Sequence, residues 1–298
     1  MEKIKKIDIH AHVNPFTRFT KESVYPLISP EALLDYYEDL GIEKGILLPI
    51  VSQEGNGDIM PNQYVMWTKE KYPDRFYWFC NVDPRALNNS DKTDFTELLN
   101  FYKEQGAKGY GELTSNVYFD DPKLDNLFSQ LEELDLPVIF HTSPRPGYNY
   151  GAVDEMNFPR LEKMLKKHKN LKFIGHSQPF WAHISADLTE ENRNGFPTGK
   201  VIPGRIHGLL RDYGNLYCDI SANSGRNAMM RDRDHAIKFF TEFSDRIFYG
   251  CDICNMGSVI HYQFRDFLEE MYESGELDAN VYKKIVRENA LEILKLED

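Results

Sequence analysis

The segment Asp8-Ile9-His10-Ala11-His12 places two imidazoles two residues apart inside an otherwise apolar run. Side chains alternate along a strand. The pattern therefore predicts Asp8, His10 and His12 on one face and Ile7, Ile9, Ala11 and Val13 on the other. Three polar groups turned inward on a buried strand are costly unless something satisfies them. A divalent metal does so, because two imidazoles at this spacing can ligate one ion. Taken alone, H-x-H also fits two surface histidines on an edge strand.

Four other runs carry the same signature. His141 ends PVIFH, His176 ends LKFIGH, Asp252 ends RIFYGCD and Glu112 ends KGYGE. Each polar residue closes an apolar strand pattern. A parallel barrel gathers the carboxyl ends of its strands on one rim, where active sites of that architecture lie. A lone buried histidine is more often a hydrogen-bonded core residue. Several strands ending in His or Asp, with H-x-H on the first, point to a metal site.

The elements that must position these residues alternate along nearly the whole chain. Strand patterns fall at 4–13, 43–50, 75–83, 107–113, 137–143, 171–178, 216–223 and 246–254. Helical patterns fall at 30–41, 62–72, 92–105, 122–135, 158–168, 204–213, 233–245, 259–274 and 278–296. Ser29, Pro30 and Gly41 supply the cap, first-turn and stop residues of the first helix. Continuous apolar strands such as GILLPI suggest parallel strands buried on both faces. The expected fold is one α/β domain over 1–298, a (β/α)8 TIM barrel with C-terminal helices. Loop insertions are expected at 51–61, 143–157 and 179–203. An open dinucleotide-binding sheet is disfavoured, because no G-x-G-x-x-G follows the first strand.

Composition agrees. With 41% hydrophobic and 28% charged residues, the 298-residue chain is globular rather than disordered. A net charge of −12 argues against nucleic-acid binding and offers no basic membrane patch. No stretch reaches the roughly 20 apolar residues of a membrane span. The opening MEKIKKIDIHAHV is too polar for a signal peptide, so a cytoplasmic location is expected. The four cysteines fit reduced, mostly buried thiols.

D-x-H-x-H on strand 1, His141 and His176 on strands 5 and 6, and Asp252 on strand 8 resemble the metal-dependent amidohydrolase superfamily. The phrases FIGHSQPFW, YGCDIC and KKIVRENALEILKL resemble its amidohydrolase 2 branch. That branch holds hydrolases and non-oxidative decarboxylases related to aminocarboxymuconate semialdehyde decarboxylase. The resemblance implies His10, His12, His141 and Asp252 as metal ligands and His176 as a residue facing substrate or water. It places Glu112 where binuclear relatives have a bridging residue. Lys108 has the same parity but lies four residues, roughly 13 Å, deeper along the strand. Zinc is the expected ion and manganese the alternative. One ion is expected rather than two, because the branch is usually mononuclear.

The implied chemistry is hydrolysis of an amide, ester or lactone in a small molecule. A metal held by imidazoles and a carboxylate keeps positions open for water and lowers its pKa toward about 7. Asp252 would take the water's proton and pass it to the leaving group, while His176 orients the carbonyl or the water. The alternative is non-oxidative decarboxylation of an unsaturated or aromatic acid, with Asp252 or a histidine delivering the proton. The phrase Ser177-Gln178-Pro179-Phe180 after strand 6 leans toward hydrolysis.

Weaker signals complete the reading. Arg145 could clamp a substrate anion, and Gln178 and Trp181 are expected to line the pocket. Cys251 and Cys254 have redox-motif spacing but sit at a barrel strand end, and Ser177 is not in a nucleophile elbow. His168 is expected in solvent. His183, His207, His235 and His261 receive no role. The expected partners are a small-molecule substrate and a second copy of the chain in a dimer.

Overall fold

Strand β1 (Lys6–Ala11) lies beside β2 (Ile42–Leu47), and β2 beside β3 (Phe76–Trp78), all parallel. The computed structural model describes residues 4–16, 27–55, 59–255, 257 and 259–297. A second parallel run joins β4 (Tyr110–Leu113), β5 (Val138–Ser143), β7 (Phe173–His176), β8 (Leu216–Asp219) and β9 (Ile247–Phe248). The two runs meet at both edges. Cys80 bridges Tyr110, and Ala11 bridges Ile253. Ile9 N–H also donates to the Tyr249 carbonyl at 3.1 Å. The result is the closed (β/α)8 barrel expected, with a short extra strand β6 (Ala152–Val153) paired to β5.

The helices follow local chemistry. In α1 (Pro30–Leu40), Ser29 accepts from the Ala32 N–H, Pro30 starts the first turn and Gly41 ends the helix at φ 69°. Helices α2 (Asn62–Lys71), α3 (Thr96–Glu104), α4 (Pro122–Glu133) and α5 (Pro159–Lys167) fall within the predicted spans. After the barrel's sixth strand come α6 (Gln178–Ala182) and α7 (Arg205–Asp212). Helices α8 (Ala222–Met230) and α9 (Arg233–Glu242) separate β8 from β9. Helix α10 (Ile260–Glu273), then α11 (Ala279–Lys283), a π-helical turn (Lys284–Glu288) and α12 (Asn289–Ile293) complete the described chain. Among the described residues no helix is long and apolar enough to cross a membrane.

The periodicity missed α6 and α8. The sequence of α8, ANSGRNAMM, is rich in weak helix formers, and its start overlaps the strand pattern at 216–223. Burial of Ala228 and Met229 against the core supplies what propensity does not. The later strands are shorter than expected for a related reason. Ser177 (φ 114°), Ala222 (φ 57°) and Asp252 (φ 55°) turn the chain out of extended geometry just beyond the strand ends.

The core has two layers. Ile7, Ile9, Ile46, Leu48, Phe79, Ile139, Ile174 and Phe248 pack together inside the barrel, where Ala290, Leu294 and Leu296 join them. The larger layer, between strands and helices, includes Ala11, Val13, Val138, Phe140 and Cys218. This corrects the expected alternation on β1. Ile7 and Ile9 face the barrel interior, whereas Ala11 and Val13 face the helices. The pairing register with β2 breaks between Asp8 and Ala11, and that irregularity reverses the strand's parity. Asp8 consequently does not share the face of His10 and His12. Its carboxylate accepts from the Tyr37 hydroxyl of α1 at 2.8 Å and from the backbone N–H of His10 and of Cys251, both at 2.9 Å.

Candidate active site

Past the break, β1 delivers His10 and His12 to the rim with Nε2 atoms 3.0 Å apart. Glu112, at the end of β4, brings Oε2 to 3.6 Å from His10 Nε2 and 3.3 Å from His12 Nε2. Asp252 brings Oδ1 to 3.8 and 3.7 Å from the same two nitrogens. His10 Nε2, His12 Nε2 and Glu112 Oε2 lie 3.0–3.6 Å apart, a spacing that suits ligands each roughly 2.0–2.2 Å from a common centre, with Asp252 Oδ1 beside the two imidazoles. The opposite ring nitrogens are taken. His10 Nδ1 is 2.7 Å from Asp219 Oδ2, and His12 Nδ1 is 2.8 Å from the Leu48 carbonyl oxygen. A carboxylate or carbonyl behind each imidazole is the arrangement that fixes tautomer and orientation in metal-binding histidines.

His141, on β5, stands on the other side of Glu112, with Nδ1 2.8 Å from Oε1. Its Nε2 is buried and has no hydrogen-bond partner among the described residues, as suits a donor atom for a cation or ligand. His176 ends β7. Its Nδ1 contacts Asp219 Oδ2 at 3.0 Å and Ser221 Oγ at 3.1 Å, and its Nε2 lies 3.7 Å from Asp252 Oδ2. His10, His12 and Glu112 form one group fit to hold a metal ion, and Glu112, His141 and His176 form another. The buried donor set thus fits a divalent cation.

Electrostatics match this geometry. Burial works against a proton on His10, but Asp252, Asp219 and Glu112 outweigh it and raise its pKa well above the ordinary value. Burial would raise Glu112, yet hydrogen bonds to His10, His12 and His141 hold it well below the usual carboxylate range. For His141 burial wins over Glu112 and lowers the pKa, leaving a neutral ring.

The rim opens into a cavity of about 300 Å³. His141, His176 and Asp252 form its floor, and Tyr150, Gln178, Phe196, Asn223 and His261 stand in its walls. The insertions at 143–157 and 179–203 therefore shape the pocket. Gln178 also lines this cavity, and neither Arg145 nor Trp181 does. The exposed Arg145 guanidinium sits 4.6 Å from the centre of the Tyr148 ring. Trp181 is 1% exposed, and its indole N–H donates to the Asp219 carbonyl at 2.8 Å, so its bulk supports the strand end from behind.

His168, expected in solvent, is 2% exposed and lies between Asp125 and Glu132. Lys108 points away from the rim, toward the Lys295 carbonyl. Cys251 packs in the helix-facing layer, while the Cys254 thiol donates to Asp252 Oδ1 at 3.0 Å. Asp219, Ser221, Tyr150 and His261 were missed. Asp219 carried a usable signal, because it ends the apolar run LYCD as His141 and His176 end theirs. The other three lie on loops or helix starts, where no periodicity marks them.

A closed (β/α)8 barrel with histidines and carboxylates buried at its carboxyl rim defines the class of cation-ready TIM barrels. The sequence profile of the amidohydrolase family matches residues 7–296, and the chain belongs to that family. Among curated protein sequences, none matches the chain. Solved structures do. An amidohydrolase from Burkholderia multivorans with bound zinc aligns with a TM-score of 0.63 at 13% identity, covering 99% of this chain and 100% of that one. A dihydroxybenzoic acid decarboxylase from Polaromonas with bound manganese and 2-nitroresorcinol aligns with a TM-score of 0.59 at 16% identity, covering 99% and 98%. A probable 2-pyrone-4,6-dicarboxylic acid hydrolase from Acinetobacter baumannii with citric acid bound aligns with a TM-score of 0.58 at 16% identity, covering 98% and 100%. At such identities the likeness establishes the fold. The aligned structures include both a probable hydrolase and a decarboxylase.

Proposed function

We propose that the protein is a metal-dependent hydrolase of a small amide, ester or lactone. The observation that carries this reading is the division of Asp252 between two neighbours. Its Oδ1 faces the His10–His12 pair and its Oδ2 faces His176. One oxygen can thus help hold a cation while the other accepts a proton. Zinc, or manganese in its place, supplies Lewis acidity that makes a water nucleophilic at neutral pH. His10, His12, Asp252 and Glu112 Oε2 would hold the ion. Asp252 Oδ2 takes the proton from the attacking water and returns it to the leaving group. His176, gripped at Nδ1 by Asp219 and Ser221, directs Nε2 at the substrate oxygen.

Hydrolysis is favoured over decarboxylation by the pocket wall. Gln178, Asn223, Ser224 and Asn255 present neutral amide and hydroxyl groups, and no Lys or Arg lines the cavity among the described residues. Such a wall suits an uncharged substrate better than an organic acid. The test sets panels of neutral amides, esters and lactones beside aromatic and unsaturated acids. Carbon dioxide release from an acid without turnover of any neutral substrate would reject the hydrolase reading.

The geometry also favours a different ion count from the single ion expected. Glu112 turns Oε2 to His10 and His12 and Oε1 to His141, and it belongs both to the group with His10 and His12 and to the group with His141 and His176, each of which would hold an ion. Metal analysis and anomalous scattering distinguish the cases. A single site at full occupancy in zinc excess would leave Glu112 an ordinary ligand.

A further inference from the structure

We propose that the Tyr150 hydroxyl donates a hydrogen bond to the substrate oxygen on which negative charge develops. The proposal rests on the hydrolase reading and names the chain's own partner for that oxygen. Tyr150 lines the same cavity as His141, His176 and Asp252. Its ring packs against His141, with centroids 4.3 Å apart at 49°. Among the described residues its hydroxyl has no hydrogen-bond partner, while its ring is held at the donor cluster.

The loop is built to keep it there. Gly151 N–H donates to the Thr114 carbonyl at 2.7 Å, and the Gly151 carbonyl accepts from Asn116 Nδ2 at 3.1 Å. Thr114 and Asn116 follow Glu112 on the same stretch of chain, so the clamp ties Tyr150 to the Glu112 strand end. Gly151 has φ +101°, and a Cβ there would lie 2.7 Å from the His141 backbone and 2.9 Å from its ring. Only glycine lets the loop close onto His141 so tightly. The Tyr150 ring is therefore held against His141 in the wall of the cavity, where its hydroxyl would serve as the donor. A donor aimed at an oxyanion stabilises the transition state more than the ground state.

The test uses the full chain loaded with zinc and inorganic phosphate as a tetrahedral oxyanion probe. Zinc content and the phosphate dissociation constant are measured for wild type, Tyr150→Phe and Arg145→Ala. Tyr150→Phe keeps the ring on His141 and should keep its zinc while binding phosphate about tenfold more weakly, the scale of one hydrogen bond to a charged group. Phosphate should also perturb the tyrosine ultraviolet spectrum of wild type, and the Phe variant should lack that change. Arg145→Ala should bind as wild type does. Equal affinity in Tyr150→Phe, no phosphate binding by zinc-loaded wild type, or a loss that follows Arg145→Ala instead would each overturn the proposal. Failure of the metal reading looks different: wild type itself would retain no zinc.

Discussion

Asp219 Oδ2 lies 2.7 Å from His10 Nδ1, and this contact leaves His10 only Nε2 to offer at the rim. The same oxygen receives the Ser221 hydroxyl at 2.6 Å and faces His176 Nδ1 at 3.0 Å. One buried carboxylate thus orients two histidines with different proposed tasks. Hydrogen bonds from His10 and His176 outweigh burial and keep its pKa below the usual carboxylate value. Replacing Asp219 with Asn removes the charge while preserving shape. Zinc affinity should fall about 10- to 100-fold, the range for a partner behind a metal-bound imidazole. Competition with a chelator measures it, and an unchanged affinity would mean that Asp219 is only structural.

His10→Ala and His12→Ala should each lose most bound metal. Their Nε2 atoms are 3.0 Å apart and also face Glu112 and Asp252, so each truncation removes a central donor. Metal analysis after dialysis reads this directly. A double variant that still carries a full complement of zinc would show that the site lies elsewhere.

Asp252→Asn should lower turnover by about 10²- to 10⁴-fold, the usual contribution of general acid–base catalysis. The barrel should remain folded, because Asp252 sits at the rim beyond β9 and makes no part of the interior core. His176→Asn should also slow turnover yet keep the ion held at His10, His12 and Glu112, which remain grouped without it. Near wild-type turnover in Asp252→Asn would remove it as proton carrier. Complete metal loss in His176→Asn would make His176 a ligand.

A pH-dependent stability term is expected far from the rim. His207 and His235 meet through Nε2 atoms 2.9 Å apart, against Phe239. Burial, with the neighbouring His235 and Arg211, lowers the His207 pKa from 6.5 to about 4. The folded state therefore resists a proton that the unfolded chain accepts. The stability contribution is present above pH 6.5 and drains away as pH falls toward 4. His207→Gln removes this titration, so the fall in melting temperature over that interval should be shallower. An identical slope in both proteins would assign acid sensitivity to other groups.

Much of the site was legible because a parallel barrel repeats one rule. His141, His176, Glu112 and Asp252 each close an apolar run, and the fold gathers the ends of those runs. Asp219 obeyed the rule and could have been found by applying it once more. Asp8 could not be placed by alternation, since nothing in Asp8-Ile9-His10-Ala11 announces a register break. Such a break is settled by pairing with β2 and by the N–H groups of His10 and Cys251 that Asp8 receives. Tyr150 and His261 were hidden for another reason. Pocket walls come from loops and helix starts, where spacing carries no information about direction. Arg145 is the converse case: a cation in a loop that shapes the pocket rests on Tyr148, away from the cavity lining.

Helix α12 and the residues just after it close the floor of the barrel, and this constrains the order of assembly. Ile7 and Ile9 of β1 share their interior cluster with Ala290, Leu294 and Leu296, which lie far along the sequence. On a ribosome β1 must wait for these neighbours until the residues up to Leu296 have been made. Until then its lower half exposes apolar surface that a chaperone or a second nascent chain can reach. The same stretch carries His10 and His12 at its other end, so maturation of the cation-binding rim is tied to the arrival of α12.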